Sequence, residues 1–186
     1  MGDTTHWVGT WTAAPAPAEG AAFSNHTLRM IPRVSLGGSR LRVRISNACG
    51  TRPLSIGAAT VGLRRAGPAL VPGSNRRLTF GGEPRATIAA GALIVSDPVE
   101  LAVAPLSDLA VSVHLPGDLP ASFGITGRYA RQTNYISPPG DFAAEECMPV
   151  GRLTDDWYFV CGVDVLAGPE AGGIATAAVK SPGGEM

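Results

Sequence analysis

The sequence lacks the features that mark several functional classes. Its fifteen basic and fifteen acidic residues cancel, so the whole molecule has no net charge to attract nucleic acid or an anionic membrane. No apolar run is long enough to span a bilayer, and the first residues, MGDTTHW, carry no secretion signal. We expect neither nucleic acid nor membrane as a partner, and a cytoplasmic location as given, or a secreted one if this is a mature form.

Cysteine is scarce, with Cys49, Cys147 and Cys161 as the full set. An odd number at unrelated spacings excludes a fully paired disulfide framework and matches no zinc motif. Cys161, in WYFVCGVDV, is expected to be a buried apolar residue, although a bridge between Cys147 and Cys161 stays open. We expect no metal and no cofactor.

A sustained helical stripe is also missing, whereas Gly and Pro contribute 24 and 16 residues between short runs of alternating Val, Ile and Leu. This pattern predicts an all-β domain over residues 1–167, an antiparallel two-sheet β-sandwich of jelly-roll type. After Ala167 the alternation stops, so residues 168–186 are predicted to form a loosely held tail. The predicted strands include 7–12, 54–63, 86–89, 92–95, 99–103, 109–115, 123–126, 133–136 and 157–165.

The stretch from Leu28 to Leu63 has the clearest strand pattern. If Gly37 and Gly38 form a two-residue turn, Val34 lies opposite Leu41 and the two strands share one apolar column. The sequence therefore predicts a β-hairpin at this point.

The other side of this predicted hairpin is basic. The protein's own carboxylates, the solvent, or a docked domain or anionic ligand would each relieve the repulsion between like charges across the strands. On the last interpretation, replacing Arg42 and Arg44 with Gln should change stability little. The predicted interface or ligand-binding residues are Arg29, Arg33, Arg42 and Arg44.

Motifs for catalysis are absent: the sequence has no G-x-S-x-G, no H-E-x-x-H and no phosphate loop. Ser112 and His114 share one face of a predicted strand, and Asp118 follows closely, which makes these three the candidates if the chain is an enzyme. Polar residues facing solvent from a half-buried strand explain the same pattern. Ser24 with His26 is a weaker pair, since His26 is expected in a loop.

Two of the three tryptophans, Trp7 and Trp11, are four residues apart in the first predicted strand. They are expected on the same face, both inside or both outside. Aromatic residues of this kind pack in a core or interface, and they also form stacking platforms for sugars.

The chain resembles the N-terminal region of bacterial SGNH, or GDSL-type, ester hydrolases. The segments that carry the resemblance include WVGTWTAAP, RVSLGGSRLRVRISNACGT, VPGSNRRLTFGG, LSDLAVSVHLPG, QTNYISPPGDF and WYFVCGVDV. In that family this region resembles a β-sandwich placed ahead of an α/β/α hydrolase module. The Gly-Asp-Ser block that the family carries after the segment matching VDV is missing here, since Ser181 has no Gly-Asp before it. The composition also changes near Gly172, as in a truncated or frameshifted hydrolase.

The resemblance thus implies ancestry and fold, and none of the family's catalytic residues can be placed on this sequence. We expect an accessory β-sandwich that packs on a hydrolase module or binds a saccharide or ester substrate. Self-association through the surface that would contact such a module is also expected. The alternative is a small carboxylesterase with a site unlike the family's.

Overall fold

The computed structural model describes residues 5–16, 22–120 and 130–172, and these residues form fourteen β-strands and no helix. Within these ranges there is accordingly no helix that could span a membrane. The strands are β1 His6–Thr12, β2 Phe23–Met30, β3 Gly38–Ser46, β4 Leu54–Ile56, β5 Ala58–Ala66, β6 Ala69–Leu70, β7 Arg76–Arg77, β8 Ala86–Ile88, β9 Leu93–Val95, β10 Val99–Val103, β11 Leu109–Leu119, β12 Asn134–Pro139, β13 Arg152–Thr154 and β14 Val160–Ala167.

The strands form two large antiparallel sheets and one small one. The five-stranded sheet has the order β1-β14-β3-β10, with β9 also paired to β3. The seven-stranded sheet has the order β13-β12-β2-β11-β5-β6, with β7 also paired to β5, and β4 pairs with β8 in the small sheet. All strand pairs are antiparallel, so the predicted all-β sandwich is confirmed.

One hydrophobic core lies between the two large sheets. Alternate residues of the central strands point into it, because successive side chains of a strand point to opposite faces. Each fully buried aliphatic side chain contributes roughly 1.5–3 kcal/mol to folding. Core side chains from the two sheets include Leu28, Met30, Leu41, Val43, Ile45, Val111, Val113, Leu115, Val163 and Val165.

Most predicted strands are present, with shifted ends. The strand predicted over 54–63 is divided at Gly57 into β4 and β5, and the strand predicted over 109–115 continues to Leu119. The strand predicted over 123–126 lies outside the described residues, as does the tail from residue 173 onward. The jelly-roll connectivity stays a prediction.

The predicted hairpin between β2 and β3 is wrong. β2 lies in the seven-stranded sheet and β3 in the five-stranded sheet, so residues 31–37 cross from one sheet to the other. The two glycines are needed for close backbone contact rather than for a tight turn, since a Cβ on Gly38 would lie 2.6 Å from the carbonyl oxygen of Leu166. The apolar columns of β2 and β3 face each other across the core.

The outer faces of the two sheets differ. Residues 140–148, here called the covering segment, lie over the outer face of the seven-stranded sheet: Thr60 Oγ1 donates a 2.7 Å hydrogen bond to Ala143 O, and the Leu70 amide donates to Glu146 O. A second apolar cluster fills this layer and comprises Ile31, Leu70, Ala110, Tyr135 and Met148, with Phe142 packed against it.

Candidate functional site

The four arginines predicted to form one basic face lie in three different places. Arg29 is fully buried beneath the covering segment. Arg33 lies in the crossing between the sheets, where its Nη1 atom is 3.3 Å from Asp108 Oδ1. Arg42 and Arg44 alone share a face, on the outer side of the five-stranded sheet. The prediction of a single basic face was wrong because β2 and β3 belong to different sheets.

The Arg29 guanidinium acts as a clamp between the seven-stranded sheet and the covering segment. Its Nη1 atom donates to Pro68 O at 2.5 Å, its Nη2 atom to Glu145 O at 2.6 Å, and its Nε atom to Ser112 Oγ at 2.7 Å. Burial lowers the pKa of Arg29 to about 10, so the group remains charged at neutral pH. This arginine is buried in the interior and is inaccessible to a ligand.

Ser112 and His114 do lie on the face of β11 opposite the core, as the alternation predicts. The interpretation that they face solvent is wrong, because the covering segment leaves Ser112 0% and His114 8% exposed. Ser112 Oγ accepts the hydrogen bond from Arg29. No hydrogen bond joins Ser112 to His114 among the residues that the structure describes.

His114 lines a groove of about 530 Å³ together with Ser55, Thr87 and Asp141. Its Nε2 atom is 2.8 Å from Asn25 Oδ1, which can only accept, so Nε2 carries the proton. Its buried Nδ1 atom has no hydrogen-bond partner among the described residues, and Asp141 Oδ2 lies 3.7 Å away. We call this the His114 groove.

Asp118 belongs to another cluster. The pairing of β11 with β2 is irregular between Leu115 and Asp118, and this places Asp118 opposite Ser24. Ser24 Oγ donates a 2.5 Å hydrogen bond to Asp118 Oδ1, while the Ser24 amide donates to His26 Nδ1. His26 is in β2 rather than in a loop, and burial and the neighbouring charge of Arg152 lower its pKa. Ser112, His114 and Asp118 therefore form no triad.

A charged cluster occupies the outer side of the five-stranded sheet, centred on Asp164 of β14. The Asp164 side chain is 2% exposed, and it accepts hydrogen bonds from Arg42 Nε at 2.8 Å and from Arg44 Nη2 at 2.6 Å. The register explains the cluster, since Asp164 is directly opposite Arg42 and Gly162 is opposite Arg44. The repulsion predicted across the hairpin does not arise, because β2 and β3 do not pair, and the protein's own carboxylate, Asp164, pairs with Arg42 and Arg44.

Two glycines and a tryptophan complete this surface. Gly9 of β1 lies opposite Asp164, and a Cβ on Gly162 would lie 3.1 Å from Arg44 Cδ. The guanidinium of Arg42 lies 4.7 Å from the centre of the Trp7 ring, a cation–π contact. We call this surface the open face, defined by Trp7, Gly9, Arg42, Arg44, Gly162 and Asp164.

Trp7 and Trp11 do not share a face, contrary to the prediction. A β-bulge between Gly9 and Trp11 adds a residue to β1 and reverses the alternation. Trp7 consequently contacts Arg42 on the open face, whereas the Trp11 ring lies 4.6 Å from the ring of Trp157 and packs against the core. The extra residue, Thr10, is buried, and its Oγ1 atom donates to Leu36 O.

A groove of about 770 Å³ runs along β1 at the border of the open face. We call it the β1 groove. The described residues that line it are aromatic, charged, hydroxyl-bearing and small, and they include His6, Trp7, Gly9, Trp11, Thr12, Ser35, Arg44 and Asp164.

Sequence reasoning missed Asp164 as the centre of the cluster. A signal was present, because an acid between Val163 and Val165 in a strand must point away from the core that those valines fill. The three cysteines are free thiols, and burial raises the pKa of the Cys161 thiol to about 11. The described residues contain no group of three His, Cys, Asp or Glu placed to hold a metal ion.

Comparison of the sequence with known proteins found no matching family model and no match among curated proteins.

Proposed function

We propose that this chain is a non-catalytic accessory β-sandwich, similar to the N-terminal region of SGNH ester hydrolases. It acts through its open face, by packing on a hydrolase module or by binding a saccharide substrate. The proposed similarity to the hydrolase N-terminal region is supported by the resemblance of the segments from WVGTWTAAP to WYFVCGVDV. The jelly-roll connectivity belongs to the same proposal.

The observation that carries the proposal is the state of Ser112. A serine becomes a nucleophile when a base accepts its proton and donors stabilise the oxyanion. The Oγ atom of Ser112 instead accepts from the Arg29 guanidinium in a buried layer. An arginine at neutral pH is no base, so the described residues supply no group that would activate the candidate serine.

The open face supplies the binding half of the proposal. The outer face of the seven-stranded sheet is filled by the covering segment, whereas the side chains of Arg42 and Arg44 remain 30% and 44% exposed. Arginine and aromatic residues are enriched where proteins meet partners. Self-association through this face is a further expectation, and sedimentation velocity at high concentration would detect it.

A second candidate function, ester hydrolysis, is favoured by the His114 groove. It brings a histidine nitrogen without a described partner close to the Asp141 carboxylate, and Ser55 lines the same groove. Such an enzyme would use a site different from Ser112, His114 and Asp118. The accessory function is preferred because Nδ1 of His114 is itself buried and not exposed to a substrate.

Turnover of short-chain nitrophenyl esters separates the two functions. The purified chain should give no saturable hydrolysis, and His114→Ala should leave the background rate unchanged. Saturation kinetics lost in His114→Ala would support the esterase and refute the accessory domain. Ser55→Ala and Ser112→Ala would then identify the serine used.

A further inference from the structure

The β1 groove has the size and composition of a ligand site. Its volume of about 770 Å³ falls in the range of about 300–1,000 Å³ that is usual for small-molecule sites. Trp7 and Arg44 are half-buried in its lining, so each is held in place and still offers a surface to a ligand.

The charges beside the groove favour an anion. Arg42 and Arg44 share one carboxylate, Asp164, so the cluster keeps one positive charge in excess. Asp164 is the one carboxylate in the described lining of the groove. Neither Nη atom of Arg42, nor Nη1 of Arg44, donates a hydrogen bond within the described part of the chain. These donors are free for a carboxylate or sulfate.

The aromatic ring beside these donors favours a sugar. The apolar face of a sugar ring stacks on a flat aromatic side chain, while its hydroxyl groups need hydrogen-bond partners next to that ring. Trp7 supplies the ring, and its contact with Arg42 at 4.7 Å holds it next to the charged cluster. Thr12 and Ser35 also line the groove. Their hydroxyl groups donate to the carbonyl oxygens of Cys161 and Thr10, so each can accept a hydrogen bond from a ligand.

The backbone of β1 at Gly9 leaves room for a ligand to approach closely. Gly9 is exposed in the middle of β1, and the one heavy atom that a Cβ there would meet within 4 Å is Asp164 Oδ1, at 3.7 Å. Glycine weakens a strand interior, and it often marks a place where a ligand approaches the backbone.

From this combination we infer that the β1 groove binds an acidic saccharide, a sugar chain that carries carboxylate or sulfate groups. The ring of one sugar unit stacks on Trp7, and its acidic group is held by the guanidinium of Arg44, which lines the groove. Arg42 does not line the groove, and its guanidinium beside the Trp7 ring adds positive charge next to it. This inference rests on the proposed function and names the ligand class of the open face.

Affinity electrophoresis of the full chain in native gels tests the inference. The gels contain polygalacturonate as the carboxylate polymer, dextran sulfate as the sulfate polymer, neutral dextran, or polyglutamate as an acidic polymer without sugar rings. We expect polygalacturonate or dextran sulfate to retard the chain, and we expect neither neutral dextran nor polyglutamate to do so. Retardation by polygalacturonate would identify a carboxylate as the acidic group, and retardation by dextran sulfate would identify a sulfate. Retardation by no polymer, or equally by polyglutamate, would overturn the inference.

Three variants test the assignment of residues. Trp7→Ala should weaken binding about tenfold, the scale of a lost aromatic contact, and Trp7→Phe should weaken it less. Arg44→Gln should weaken it about tenfold or more, because a charge-assisted hydrogen bond is lost while Arg42 still pairs with Asp164.

Arg77→Gln removes the same charge from an exposed position in β7 and is the matched control. An effect of Arg77→Gln as large as that of Arg44→Gln, or unchanged binding by folded Trp7→Ala, would refute the site. A chain that binds no polymer and hydrolyses no ester would refute the saccharide and leave the accessory function intact. Saturable ester hydrolysis would refute the accessory function itself.

Discussion

The Nε atom of Arg29 donates a 2.7 Å hydrogen bond to Ser112 Oγ inside the layer between the seven-stranded sheet and the covering segment. The two residues are directly opposite each other in the pairing of β2 with β11. This contact helps to hold the Arg29 guanidinium beneath the covering segment, and it pairs the Ser112 hydroxyl with a cation rather than with a base. We therefore propose the open face as the surface for recognition.

Arg29→Met should strongly destabilise the fold. Methionine has a similar length and no donor, so the carbonyl oxygens of Pro68 and Glu145 and the buried hydroxyl of Ser112 would lose their donor. We expect a loss of about 3 kcal/mol or more in the free energy of unfolding, since each lost hydrogen bond to a charged group costs about 1.5–3 kcal/mol. Urea denaturation measures it, with Arg77→Gln as an exposed control. A loss below about 0.5 kcal/mol, the usual range for surface substitutions, would contradict the clamp.

The arginine pair of the open face should also stabilise the fold, in contrast to the small effect expected from sequence. Replacing both Arg42 and Arg44 with Gln leaves Asp164 buried without a charge partner, which should cost about 3 kcal/mol. Adding Asp164→Asn to that double variant removes the uncompensated charge and should recover most of the loss. Thermal unfolding of the parent chain and of these two variants gives the comparison. A triple variant no more stable than the double variant would exclude the uncompensated charge of Asp164 as the cause of the loss.

Asp97 should make stability depend on pH. The hydroxyl of Thr79 and the amides of Gly82 and Gly81 donate to this carboxylate and lower its pKa. A carboxyl whose folded pKa is lowered stabilises the fold above its unfolded pKa of about 4, and this contribution is lost as the pH falls through the folded value.

Asp97→Asn should therefore lower the melting temperature at pH 7, and the difference from the parent chain should shrink below about pH 4. Thr79→Val removes the first of the donors and should reproduce part of the effect. A difference that stays constant from pH 7 to pH 2.5 would show that the hydrogen bonds do not depend on the ionised carboxylate.

The fold class was predictable from sequence, whereas the pairing of strands was not. Val34 and Leu41 alternate with polar residues in the same way in a hairpin and in two strands that face each other across a sandwich. Local alternation reports which side chains are buried, and it carries no information about which sheet a strand joins. Glycines at 37 and 38 suggested a turn, although close contact with distant strands is what requires them.

The candidate site was only partly predictable for the same reason. Arg42 and Arg44 were found because they alternate within one strand, but Trp7 and Trp11 were placed together because the bulge at Thr10 has no clear sequence signal. Ser112 and His114 were correctly placed opposite the core. Their burial depends on residues 140–148, which return from far along the chain.

Labelling with a serine-directed fluorophosphonate, read by intact mass spectrometry, tests the central claim most directly. The purified chain should form no adduct under conditions that fully label a known serine hydrolase, because the hydroxyl of the candidate serine, Ser112, is paired with Arg29 and not with a base. A stoichiometric adduct on Ser112 or Ser55 that disappears in His114→Ala would contradict the account and establish a catalytic serine in the sandwich.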